Sequence, residues 1–98
     1  MYRVEVGVVL QGRDGVMGLS RRLTLPFPPF EGLGLCGITT VPDRPETVVS
    51  VAWDVRGRCF RVELLDCQSQ EESLSELIDY YGAGWQLHEP GSEPVEGP

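Results

Sequence analysis

The sequence predicts a mostly β domain of the α+β class: a small antiparallel five-stranded, partly open barrel or curved sheet with one C-terminal helix. An open antiparallel sheet with the helix on one face is the alternative arrangement. Three observations lead there. Apolar and polar residues alternate with period 2 over residues 2–10. A second pair of alternating segments flanks Arg56-Gly57. After Cys67 the apolar period lengthens to 3.6.

In the first segment Tyr2, Val4, Val6, Val8 and Leu10 share one face, with Arg3, Glu5, Gly7 and Val9 on the other. Gln11-Gly12-Arg13-Asp14-Gly15 follows, and its glycines and aspartate tolerate positive φ, so it reads as a hairpin turn. The return strand covers residues 16–25 and ends at Pro26-Phe27-Pro28-Pro29-Phe30, because proline lacks the N–H that a ladder needs. Residues 31–38 alternate glycine with apolar side chains, the pattern of a curved or bulged third strand. After the turn Val41-Pro42-Asp43-Arg44-Pro45-Glu46, the fourth strand places Thr47, Val49, Val51, Trp53 and Val55 on one face, inferred to be the core face. Arg56-Gly57 returns the chain into a fifth strand over residues 58–66, in which Phe60, Val62 and Leu64 face the core. Ser69-Gln70-Glu71-Glu72 has the capping-box form, Leu74, Leu77, Ile78 and Tyr81 make one stripe, and Gly82 suits a left-handed cap, so a helix is expected over residues 70–81.

Ninety-eight residues with 41% hydrophobic side chains hold one core and not two. The expected domain is residues 1–88. Residues 89–98, rich in Pro, Gly and Glu, are expected to be a disordered acidic tail. Charge is unevenly spread. Residues 1–65 hold eight Arg and seven acids, +1, whereas residues 66–98 hold eight acids and no base, −8, for the total of −7. Such an acidic end repels phosphate backbones and argues against nucleic acid as a partner. The absence of Lys and Asn removes Schiff-base lysines, phosphate-loop lysines and N-glycosylation acceptors. With no apolar segment of membrane-spanning or signal-peptide type, and with an odd set of three cysteines, the chain is expected in the cytoplasm, away from membranes, with free thiols.

The stretch Leu25-Pro26-Phe27-Pro28-Pro29-Phe30-Glu31-Gly32-Leu33, followed by residues 48–54 and Phe60-Arg61-Val62-Glu63-Leu64, resembles a pattern of small uncharacterised bacterial barrel-like domains. In that pattern a Leu-Pro-Phe strand end and a Pro-x-x-Gly turn precede a Val-x-x-Val-x-Trp strand. Gly82-Ala83-Gly84-Trp85-Gln86-Leu87 is similar to the helix end of short bacterial domains of unknown function that read Gly-Ala-x-Gly-Trp-x-Leu, with one residue fewer between the glycines here. The resemblance implies a barrel-like fold and a bacterial source, and brings no activity, cofactor or catalytic residue with it.

Four groupings carry chemistry worth weighing. Cys36, Cys59, Cys67 and His88 are the residue types of a zinc site, but no pair has knuckle spacing. Cys59 and Cys67 on one extended strand would lie ~26 Å apart. No metal or cofactor is therefore expected, and a thiol paired with His88 has no supporting motif. Carboxylate pairs such as Asp54 with Asp66, or Glu63 with Glu46, read as partners of the neighbouring arginines rather than as acid and base. Arg56, Arg58 and Arg61 on the second hairpin suit an anionic ligand at the barrel mouth, with Arg21 and Arg22 on the first. Phe27 and Phe30 in the proline loop, with Tyr80 and Trp85 at the helix end, suit a protein partner. The expectation is thus a non-enzymatic interaction or self-association module, acting through Phe27, Phe30, Tyr80 and Trp85 or as a homodimer through an edge strand. The alternative is a small anionic-ligand binder or enzyme using Arg56, Arg58 and Arg61.

Overall fold

A computed structural model describes residues 1–89 of the chain, so the expected tail lies, except for Glu89, outside the described residues. The elements are β1 (Tyr2–Gly12), β2 (Gly15–Leu25), β3 (Gly34–Leu35), β4 (Glu46–Asp54), β5 (Cys59–Leu64), β6 (Cys67–Gln68), α1 (Leu74–Tyr81) and β7 (Gln86–His88). The strands form one curled, open half-barrel in the order β3-β4-β5-β1-β2-β7, with β6 added to β1.

The sheet is mixed, with seven strands among the described residues in place of the five antiparallel strands expected. The hairpins β1–β2 and β4–β5 are antiparallel, as is β2–β7, but β1 runs parallel to both β5 and β6. The direction follows from the apolar faces. A hairpin laid beside β1 with its apolar face inward and β5 innermost has only one direction open to it. Turning it end for end, with that face kept inward, would exchange β5 for β4. In the direction it takes, Val4 faces Phe60 and Val6 faces Val62. Val4, Val6, Val8 and Leu10 of β1, Leu19 of β2, Val48 of β4 and Val62 and Leu64 of β5 are buried together with Leu77 and Tyr81 of α1.

Strand three is much shorter than its glycine alternation suggests. Only Gly34 and Leu35 pair with β4, and Leu35 and Ile38 are the buried residues of that segment. In β4 a bulge between Val48 and Ser50 changes the register, so Val48 pairs with Leu64 while Val51 pairs with Val62 and Trp53 with Phe60. The extra residue shifts the side-chain alternation by one. Val48, Val51 and Trp53 therefore share the core face, and the single face of Thr47, Val49, Val51, Trp53 and Val55 expected from strict alternation does not form.

The helix starts four residues later than expected. Ser69 Oγ accepts from the Glu71 and Glu72 N–H groups and closes a turn. Ser73, in a second Ser-x-x-Glu set, is the true N-cap and accepts from Glu76 N–H at 3.2 Å. Tertiary contacts select between the two boxes. Ser69 N–H donates to Gln11 O as the chain leaves β6, and Arg13 N–H donates to Glu72 O. Asp14 Oδ1 accepts from Leu74 N–H at 2.7 Å, so the β1–β2 turn itself caps the helix. Gly82 ends the helix at φ 85, where a side chain would be strained.

Candidate functional site

The two ends of the sheet path are β3 and β7, strands of two and three residues. Each leaves part of a long strand uncovered: residues 15–17 and 21–25 of β2, and residues 49–54 of β4. Along its outer edge, Glu46 and Thr47 pair with β3, and Val48 exchanges hydrogen bonds with Gly32 N–H and Leu33 O, both at 2.8 Å. Beyond Val48, among the described residues, no segment pairs with that edge, while the inner edge is paired with β5. Residues 49–54 thus present a row of backbone donors and acceptors to solvent.

From Val49 to Trp53 the side chains are uncharged and, apart from Ser50, apolar. Val49 is 44% exposed, Trp53 53% and Val55 77%. No charged residue occurs from Thr47 to Trp53. The Trp53 ring meets Phe60 edge-on at 5.0 Å, and Phe60 in turn tilts against Tyr2 at 6.0 Å, so the indole is held in one orientation. The placement of Trp53 in the buried core, expected from the alternation of β4, does not hold: the side chain stands on the core side but at the rim. Asp54 closes the stretch, and its charge is already engaged. Its carboxylate accepts from Arg56 and Gly57 N–H groups, both at 3.0 Å, and pairs with Arg61 at 2.9 Å. The Gly57 N–H, followed by the Arg61 guanidinium, holds the Asp54 carboxyl below the usual carboxylate range.

The four aromatic residues singled out in the sequence fall into two separate places. Phe27 and Phe30 are exposed with ring centroids 6.5 Å apart. The Phe30 turn is closed by Leu33 N–H donating to Phe30 O, and its Gly32 and Leu33 are bonded to Val48. This pair therefore borders the start of the uncovered edge. Tyr80 and Trp85 are half-buried and engaged internally. Tyr80 and Tyr81 hydroxyls donate to Glu46 Oε2 and Oε1 at 3.1 and 3.0 Å, and Trp85 Nε1–H donates to Ile38 O at 3.0 Å. The Tyr81 ring stacks edge-on with both Tyr80 and Trp85. Burial, with the Glu46 charge added, raises the Tyr81 phenol far above its ordinary range.

Arg56 and Arg58 are exposed on the β4–β5 turn, where Arg58 adopts φ 51, and Arg61 is engaged by Asp54. Arg3 donates to Gly57 O at 2.8 Å, so the turn is held by a fourth arginine. These arginines do not converge on a cavity. A cleft of about 390 Å³ lies instead between β4, β6 and α1, lined by Arg44, Glu46, Asp66, Cys67, Glu72 and Tyr80 among others. A smaller one of about 220 Å³ is lined by Glu5, Ser20, Arg21, Arg22, Gly84 and Gln86. In the larger cleft, burial and then the Glu46 carboxylate push the Cys67 thiol up, which keeps it protonated and a poor nucleophile at neutral pH. Cys36, Cys59 and Cys67 form no disulfide with one another. His88 lies over Gly18, where a Cβ would meet its ring. Among the described residues no group of three His, Cys, Asp or Glu is placed to hold a metal ion, and no helix is long and apolar enough to cross a membrane.

The uncovered β4 edge is the feature that residue patterning did not locate, although an edge strand was expected to matter. Its signal was present as the uncharged run Val48-Val49-Ser50-Val51-Ala52-Trp53, whose spacing of three and then two already encodes the bulge. No protein-family model matches the chain, and neither the curated proteins nor the solved structures contain a match to it.

Proposed function

We propose that the protein is a non-enzymatic interaction module that works by strand addition. An extended segment pairs with the β4 edge at residues 49–53, gaining main-chain hydrogen bonds along the backbone and apolar contacts with Val49 and Trp53. The observation that carries this reading is an uncharged strand edge left open beyond Val48 among the described residues, whereas on the β2 side β7 covers Gly18, Leu19 and Ser20 and two arginines follow. Phe27 and Phe30 extend the apolar surface at one end and Val55 at the other. Tyr80 and Trp85 support the fold behind it through Glu46 and Ile38. An exposed free thiol at Cys36 suits a reducing compartment such as the cytoplasm. The alternative of an anionic-ligand site on Arg56, Arg58 and Arg61 has less support, since Arg61 is held by Asp54 and none of the three lines either cleft.

The test uses an extended peptide of the sequence Thr-Val-Val-Ser-Val-Ala-Trp-Asp, flanked by lysines for solubility, titrated into the labelled full chain. Amide shifts and slowed hydrogen exchange confined to residues 49–53 are expected. Shifts centred on Arg56, Arg58 and Arg61, or none at all, would overturn the reading.

A further inference from the structure

Side chains along a strand alternate between the two faces of its sheet. Glu5 pairs with Arg22 across β1 and β2, and Ser20 pairs with Gln86 across β2 and β7, so these four residues share the face turned away from Val4, Val6 and Leu19. Ser20 is two positions from Arg22 and is therefore the diagonal neighbour of Glu5, within side-chain reach. Gly84, at φ 94, precedes the start of β7 at Gln86, and the cover of β2 stops at Ser20. The cleft of about 220 Å³ opens at this point.

Two side chains of the cleft are buried without hydrogen bonds. Ser20 is 5% exposed, and its hydroxyl has no partner among the described residues. The Glu5 side chain is 9% exposed, and its carboxylate has a single contact, Arg22 Nε at 3.5 Å, with no hydrogen bond among the described residues. Among the described residues no fully enclosed side-chain oxygen lacks a partner, so both groups reach the cleft. Buried polar groups are nearly always satisfied, and a carboxylate has acceptor sites for several donors. A hydroxyl and a carboxylate left open side by side suit an ammonium. The two cations of the cleft are unlike each other. Arg21 is engaged by Ile38 O at 3.4 Å and by the Trp85 ring, whereas the Arg22 side chain is 79% exposed and its guanidinium makes no hydrogen bond among the described residues. Its planar fork suits a carboxylate. A simple cation in the cleft would sit beside two arginines, and a simple anion would meet the buried Glu5. A molecule that carries both charges finds a partner for each.

We propose that this cleft binds a small free α-amino acid, with Glu5, Ser20 and Gln86 accepting from its ammonium and Arg22 donating to its carboxylate. The cleft is smaller than the about 300–1,000 Å³ of pockets for drug-sized molecules, which limits the ligand to a few heavy atoms beyond its two charged groups. The site is independent of strand addition at β4.

The experiment titrates the labelled full chain with L-alanine, and with ethylamine and propionate as probes that carry one charge each. Saturable amide shifts at Glu5, Ser20, Arg22 and Gln86 are expected with L-alanine, on the order of millimolar or tighter, and at least about tenfold weaker binding of either single-charge probe. Glu5→Gln and Ser20→Ala should each weaken L-alanine binding at least about tenfold. Because the Ser20 hydroxyl has no partner to lose, Ser20→Ala without ligand should melt no lower than the wild type, which separates a ligand contact from a structural one. A marked fall in its melting temperature would make the hydroxyl a support of the fold and overturn the site. Ethylamine binding as tightly as L-alanine overturns the carboxylate end, and propionate doing so overturns the ammonium end. The absence of saturable shifts at these four residues overturns the proposal as a whole.

Discussion

The two long strands next to the ends of the sheet are finished in different ways. Beside β2, the chain after the helix returns as β7 and pairs with Gly18, Leu19 and Ser20, with the His88 ring lying over Gly18. Next along β2, Arg21 donates to Ile38 O and its guanidinium lies over Trp85 at 6.0 Å. Beside β4, cover among the described residues stops at Val48, and Val49, Ser50, Ala52 and Trp53 beyond it are exposed. Strand edges are usually protected by charge, by short strands or by covering segments, and the β2 side uses all three. Beyond Val48, among the described residues, the β4 side has none of them, and the strand-addition proposal rests on that difference.

The largest effect on this asymmetry is expected at Glu46. Replacing it by Leu removes the acceptor of two hydroxyls, one of them on the buried Tyr81, and should cost about 1–3 kcal/mol for an orphaned buried group. It also loosens the β3 end of β4, so the uncovered edge lengthens and peptide binding at the β4 edge should persist in the folded fraction. Urea denaturation checks the stability, and an unchanged midpoint would show that Glu46 does not anchor this end. On the opposite side, Gly18→Val pushes the His88 ring off β2 and should displace β7, at about 1–2 kcal/mol, with faster hydrogen exchange at Ser20. Intact protection there would mean that β7 does not depend on the close approach of the imidazole.

Trp53→Ala separates folding from association on the β4 side. The half-exposed indole contributes to stability mainly through its ring contact with Phe60, about 0.5–1.5 kcal/mol, whereas binding of an extended peptide at the β4 edge should weaken by more than its stability change predicts. Equal losses in both would assign Trp53 to the fold alone. The smallest effect is expected from pH. Asp54 is held below its ordinary value, so its support of the β4–β5 turn is fully present above about pH 3.8 and is lost as pH falls through the lower folded value. Thermal melts of wild type and Asp54→Asn should therefore converge in acid and separate towards neutrality. Curves that stay parallel throughout would show that the carboxylate charge is not what holds the turn.

Much of the fold was legible from residue order. The two hairpins, the proline-terminated second strand, the C-terminal helix and its Gly82 cap all follow from local period and turn chemistry. What was not legible depended on choices between local signals of equal strength. Ser69 and Ser73 each begin a Ser-x-x-Glu box, and only the bonds from Gln11, Arg13 and Asp14 decide which one opens the helix. The bulge at Val48–Ser50 exchanges the faces of β4, an event that strict alternation cannot represent. Which surroundings an aromatic ring meets was not legible either, because it depends on a carbonyl or carboxylate brought from far along the chain, as Ile38 and Glu46 are for Trp85 and Tyr80.

The parallel pairing of β1 with β5 has a consequence for synthesis. Val4 and Phe60 are neighbours in the sheet although 60 − 4 = 56 positions separate them. The β1–β2 hairpin is complete once Leu25 has emerged, but its central strand lacks a second neighbour until Leu64 follows, 64 − 25 = 39 residues later. At ribosomal elongation rates that interval is roughly 2–8 s, far longer than the microseconds a hairpin needs to form. Throughout it, the Val4-Glu5-Val6-Gly7-Val8 strand waits with its inner flank bare, and a nascent-chain chaperone that holds extended apolar segments would find it there first.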